Sequence, residues 1–178
     1  LSAEDVTLGA AYANLSSLGA GQSEIPLMVQ LVENPKYDIP GFDIFHGAVD
    51  LRTHDLIHIV LGRGLLANDE AFVIGFTMGS TNRVSTAEEK LFSIISRYFY
   101  PKVYRFKDEA QSIFRDATKL GYISDCRPLD EIDYTQYFDR TLGEVRKEIG
   151  LESDLLRAYF GIEARRFPQA KSSGRLLD

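Results

Sequence analysis

The chain has one cysteine, three histidines, two methionines and no long apolar run. Cys126 has no second thiol to pair with, which excludes an internal disulfide and fits a reducing compartment. The longest mostly apolar stretch, residues 71–79, is about half of the ~20 residues a membrane-spanning helix needs. Work on a membrane lipid would therefore be done from the surface, as a peripheral protein. Basic excess is also missing. A net charge of -6 argues against nonspecific nucleic-acid binding. No serine or cysteine stands in a nucleophile–base arrangement, so a covalent mechanism has no carrier. Repeats, low-complexity tracts and alternating strand-like runs are absent, and no secretory or transit signature is visible in these residues.

What is present is ordinary globular material. The 178 residues are 44% apolar and 26% charged, enough for one domain with a substantial core. Apolar residues recur at helical intervals over residues 3–18, 24–33, 51–61, 69–79, 86–100, 107–120 and 135–149, with a short segment after Ser153. The pattern predicts an all-α, single compact domain of about seven or eight helices covering residues 1–162. Residues 163–178, basic and poor in large apolar side chains, read as a mobile C-terminal tail. Residues 36–48 read as a long loop at the edge of a site. Residues 97–107 interleave basic and aromatic side chains, which reads as core or channel aromatics with solvated basic tips.

Two of the three histidines lie four residues apart, in Thr53-His54-Asp55-Leu56-Ile57-His58. On a helix of 3.6 residues per turn, His54 and His58 stack on one face with Asp55 projecting between them. The remaining positions, Leu51, Leu56, Ile57, Ile59, Val60 and Leu61, are apolar, as on a central helix enclosed by others. An ionised carboxylate in such surroundings needs a compensating positive charge, and a bound cation supplies one. Gly62 is placed to end this helix, and Asn68 to cap the next, so that Glu70 returns to the level of His58. The expected centre is a divalent-metal site of His54, Asp55, His58 and Glu70. The chance reading, a core histidine hydrogen-bonded to Asp55, explains the His pair but not Glu70. His46 and Asp50 are candidate outer partners of these ligands. Their simpler roles are packing of His46 against Phe42 and Phe45, and capping of the motif helix by Asp50.

The order His54-Asp55-Leu56-Ile57-His58, eleven residues, then Glu70 resembles the H-D-x-x-H-x11-E signature of the ubiquinone (coenzyme Q) biosynthesis protein 4 family. Leu61-Gly62 within the spacer is similar to the family as well. Tyr137-Phe138-Asp139-Arg140-Thr141-Leu142, running on to Glu144-Val145-Arg146-Lys147-Glu148-Ile149-Gly150, resembles its closing helix. The likeness extends over most of residues 40–150. Val49-Asp50-Leu51-Arg52-Thr53 lacks the Arg-Tyr-Arg-Glu run of the eukaryotic members, and residues 151–178 continue past their usual end.

The resemblance implies a metal protein that acts on, or holds, a prenylated aromatic quinone precursor, with replacement of a ring carboxyl by a hydroxyl as the reaction. It implies a cytoplasmic or membrane-surface location, on the matrix side of the mitochondrial inner membrane in a eukaryote. Zinc best fits the donors and the family, while magnesium, manganese and iron also accept two imidazoles and two carboxylates. The alternative is a non-catalytic carrier of isoprenoid lipid, or a scaffold for other quinone-biosynthesis proteins, with self-association left open. A metal-dependent hydrolase is a third reading.

Overall fold

The computed structural model describes residue 1 and residues 3–19, 49–83 and 106–177. They form an all-α domain. Among the described residues seven α-helices run in chain order: α1 (Leu8–Gly19), α2 (Leu51–Leu61), α3 (Ala67–Ser80), α4 (Asp108–Ile123), α5 (Leu142–Glu148), α6 (Ser153–Arg166) and α7 (Lys171–Gly174). Short 3-10 turns occupy Leu129–Glu131, Tyr134–Tyr137 and Arg175–Leu177. No strand occurs among the described residues, whose only β-type contact is an isolated bridge between Thr7 and Thr141. The helices expected at 24–33 and 86–100, the loop at 36–48, and most of the aromatic-basic stretch lie outside the described residues.

Local chemistry sets the ends of α2. Asp50 sits in extended backbone and accepts hydrogen bonds from the Thr53 amide at 3.0 Å and the Thr53 hydroxyl at 2.7 Å. It is the N-cap. Gly62 ends the helix in the left-handed conformation, φ +70, where a side chain would be strained. Beyond it, the Arg146 guanidinium from α5 donates to the Val60 carbonyl at 2.9 Å, giving an orphaned C-terminal acceptor a charged donor.

Helices α3 and α4 are the most closely packed pair among the described elements. Gly75, Gly79 and Gly121 stand at the crossing, and a Cβ on any of them would press into backbone of the opposite helix. This explains why α4 does not stop at Gly121. That glycine marks a close approach to Phe76 and Ser80, and α4 continues to Ile123. Phe72, Phe76, Phe114 and Phe160 are fully buried around this pair with Ile57, Leu61 and Ile113. Each contributes about 1.5–3 kcal/mol of apolar burial.

Three further boundaries differ from the sequence expectation. Helix α1 starts at Leu8 because the Thr7 hydroxyl takes the Ala10 amide, at 3.3 Å. The single helix expected over 135–149 is two elements: a 3-10 turn at Tyr134–Tyr137, then α5 behind a capping box in which Thr141 and Glu144 satisfy each other's backbone amides. Helix α6 runs through the point where a tail was expected. Glu163, Ser172 and Ser173 are buried, and residues 163–177 pack on the bundle instead of leaving it. A basic sequence misleads there because Glu163 has its cation, Arg63, on a distant loop.

The crossing is testable. Gly79→Ala should destabilise the protein by about 2–3 kcal/mol in urea unfolding, since Thr118 backbone blocks the added methyl. Gly161→Ala, whose Cβ meets nothing closer than 4.0 Å, should gain about 0.5–1 kcal/mol.

Candidate metal centre

His54 and His58 project from α2 toward Glu70 in the first turn of α3. The His54 Nε2 to Glu70 Oε2 distance is 3.5 Å, and His58 Nε2 to Glu70 Oε1 is 3.3 Å. The two rings are edge to face with centroids 4.6 Å apart. Ligand atoms from the three residues lie within 4.8 Å of one another. The His58 side chain is fully buried, while Glu70 and His54 are 14% and 19% exposed. One side of the cluster is closed by the core and the other is within reach of solvent.

The His58 ring is oriented by one bond. Its Nδ1 lies 2.7 Å from the Gly64 carbonyl oxygen. A carbonyl can only accept, so Nδ1 carries the proton and Nε2 is left facing Glu70. Neither His58 Nε2 nor Glu70 Oε2 has a hydrogen-bond partner, although both are buried. His58 Nε2 faces Glu70 Oε1, and Glu70 Oε2 faces His54 Nε2. An unprotonated imidazole nitrogen and a carboxylate so placed in a dry interior repel unless a cation or a proton lies between them.

The spacing discriminates between the two. Charge-assisted N–H···O bonds are typically ~2.7–2.9 Å long, whereas two ligands at ~2.0–2.1 Å from a tetrahedral zinc ion are ~3.4 Å from each other. The observed 3.3 Å from His58 to Glu70 Oε1 and 3.5 Å from His54 to Glu70 Oε2 are near that ligand-to-ligand spacing, each to a different carboxylate oxygen. His54, His58 and Glu70 therefore form a group that can hold a metal ion.

The remaining expected site residues fall elsewhere. Asp55, expected as a fourth ligand, is not part of the group. Its half-buried position raises its pKa, with smaller and opposing influences of His58 and Glu70. Asp50 spends both carboxylate oxygens on the α2 cap, and His46 lies outside the described residues. Sequence reasoning missed Gly64, whose part is played by its carbonyl and leaves no side-chain signal. Arg63 was also missed: its guanidinium grips both Glu163 oxygens, at 3.1 and 2.6 Å, between the rings of Phe72 and Phe160. This buried pair anchors the α2–α3 loop to α6. Cys126 is buried with its thiol pushed up to about 12 by desolvation, as suits an inert core cysteine.

No family model, curated protein or solved structure matches the chain. Among the described residues, no helix is long and apolar enough to cross a membrane.

The electrostatics of the metal-free cluster are set by burial and mutual contact. Desolvation holds His54 down at about 4, against the attraction of Glu70 and with the repulsion of His58. Burial also opposes charge on His58, but Glu70 and the Gly64 carbonyl outweigh it and raise its pKa. Glu70 is lowered by the two imidazoles despite its own desolvation. Between pH 6.5 and about 4 the unfolded chain binds a proton at His54 that the folded chain refuses, so this group makes stability fall as pH falls. His58 has the opposite sign: its stabilisation is complete below pH 6.5 and lost as pH rises through its higher folded value. Both wild type and His54→Gln carry that His58 contribution. In chelator-treated protein, His54→Gln should therefore gain on the order of 2 kcal/mol over wild type between pH 7 and pH 4.5 in urea unfolding. A pH-independent difference would contradict the placement of His54.

Proposed function

We propose that this chain is a divalent-metal protein of the quinone-biosynthesis type, acting on a prenylated aromatic lipid through a centre of His54, His58 and Glu70. The observation that carries the metal is a pair of buried atoms without hydrogen-bond partners: His58 Nε2, 3.3 Å from Glu70 Oε1, and Glu70 Oε2, 3.5 Å from His54 Nε2. Two imidazoles and one carboxylate favour zinc, with iron and manganese next and magnesium last. The lipid substrate class is carried by the motif His54-Asp55-x-x-His58-x11-Glu70.

Three protein donors leave coordination positions open, which is the arrangement of catalytic zinc sites and not of structural ones. When bound, the ion supplies Lewis acidity toward the carboxylate and phenolic oxygens of an aromatic head group. The chain's own residues supply the rest. Glu70 brings one negative charge, so a dication held without Asp55 keeps more of its acidity than the four-residue set would leave it. The Gly64 carbonyl fixes the His58 tautomer, and the apolar core behind His58 keeps water from that side. Partial exposure of His54 and Glu70 marks the side from which a head group would enter. In the carrier reading, the same centre grips the head group without turnover.

Protein purified without chelator should contain close to one equivalent of metal per chain. His58→Ala and Glu70→Ala should weaken zinc affinity by ~100-fold or more, and Asp55→Asn by less than ~10-fold. An Asp55→Asn loss as large as that of Glu70→Ala would show that Asp55 is a ligand. Incubation with a prenylated hydroxybenzoate separates the lipid readings. An enzyme converts the ring in a His58-dependent way, a carrier binds it unchanged, and no binding would sink the lipid proposal.

A further inference from the structure

We infer that Arg175, in the C-terminal 3-10 turn, is a positioning residue for the His54/His58/Glu70 cluster. Its guanidinium pairs with Asp69, a fully buried carboxylate one residue before Glu70. The same guanidinium lies against the backbone of Gly64, so closely that a Cβ at that position would collide with it. Gly64 supplies the carbonyl that fixes His58. One side chain thus touches both neighbours of the site: the loop that orients the imidazole and the helical turn that carries the carboxylate.

Each contact has a mechanical consequence. Asp69 Oδ2 also accepts the Leu66 amide at 3.0 Å, which closes the first turn of α3 around Glu70. Without Arg175 this buried carboxylate keeps only that amide and the more distant Arg63, at 3.9 Å. Its other oxygen, Oδ1, already has no hydrogen-bond partner. An under-compensated buried charge draws water or moves, and the turn bearing Glu70 moves with it. On the other side, removal of the guanidinium uncovers the Gly64 peptide and lets its carbonyl turn away from His58.

Arg175 is itself held in place. Ser172 and Ser173 are buried beside it, and the Ser173 hydroxyl donates to Glu163 at 2.8 Å. Glu163 in turn grips Arg63. The C-terminal segment therefore closes over the α2–α3 loop through two ion pairs, of which Arg175–Asp69 is the one next to the ligands. Unlike the Arg63–Glu163 pair, it reaches the surface, since Arg175 is 40% exposed. Replacing it leaves the aromatic core unchanged.

The consequence for metal affinity rests on the proposed metal centre, whereas the orientation of His58 does not, and the test reads the two separately. In the full chain stripped of metal, NMR would follow exchange of the His58 Nδ1 proton with water. Zinc affinity would be measured by chelator competition, and coordination by the visible d–d bands of the cobalt form. Arg175→Ala should speed Nδ1 exchange by ~10-fold or more, weaken zinc binding by ~10-fold, and shift the cobalt bands. Arg175→Lys should recover part of each, and Arg165→Ala, on the exposed face of α6, should change none. Should Arg175→Ala not fold, Arg175→Met keeps an aliphatic stem, removes the guanidinium from Gly64 and Asp69, and should move the same readouts in the same direction. Unchanged exchange in Arg175→Ala or Arg175→Met would overturn the inference, as would wild-type zinc affinity with unaltered cobalt bands. If wild type binds neither ion, the metal reading fails, and Nδ1 exchange alone decides whether Arg175 positions His58.

Discussion

The hydrogen bond from His58 Nδ1 to the Gly64 carbonyl decides what the rest of the site can be. It assigns the proton of a neutral imidazole to the inner nitrogen and points the other lone pair at a buried carboxylate. Were the proton on Nε2 instead, Nε2–H would simply donate to Glu70, and the pair would be an ordinary core hydrogen bond. As built, the two groups are complementary to something positive between them. Burial raises the stakes, because neither orphaned atom has water to fall back on.

That bond exists because both ends of α2 are fixed. Asp50 starts the helix in register, Gly62 turns the chain back, and Arg146 holds the final carbonyls from outside. The loop that follows cannot relax, since Arg63 is clamped between two aromatic rings and Glu163. Glu70 then arrives from α3, whose own position is locked by glycine-mediated contact with α4. The placement of the His54/His58/Glu70 cluster here comes from packed helices and buried ion pairs, not from the three side chains themselves.

Much of this was legible in the order of residues. The i, i+4 histidines, the apolar positions of their helix, the Gly62 stop and the return of Glu70 follow from helical geometry and C-capping, although α3 begins at Ala67 with Leu66 at its N-cap, held by Asp69, and not with Asn68 there. The all-α architecture follows from the same periodicity. Asp55 stands outside the cluster of three, because adjacency on a helix fixes an azimuth, not which neighbour will reach back. Helical projection put it beside the histidines, but the structure closes the group from α3 alone. Gly121 shows a second limit: a glycine that ends a helix and one that lets two helices touch are the same letter. The C-terminal segment shows a third. Arg63 and Glu163, a hundred positions apart, read singly as solvated charges, and only the fold reveals that they are buried together.

The central claim is that His54, His58 and Glu70 share one metal ion. X-ray absorption at the zinc edge, on protein purified without chelator or added metal, tests it most directly. The account predicts a light-atom shell at ~2.0–2.1 Å with the outer scattering of two imidazoles. Loss of one imidazole's contribution in His54→Gln would identify that histidine as one of the two. Stoichiometric protein without bound metal, or an ion whose spectrum lacks imidazole scattering, would contradict it.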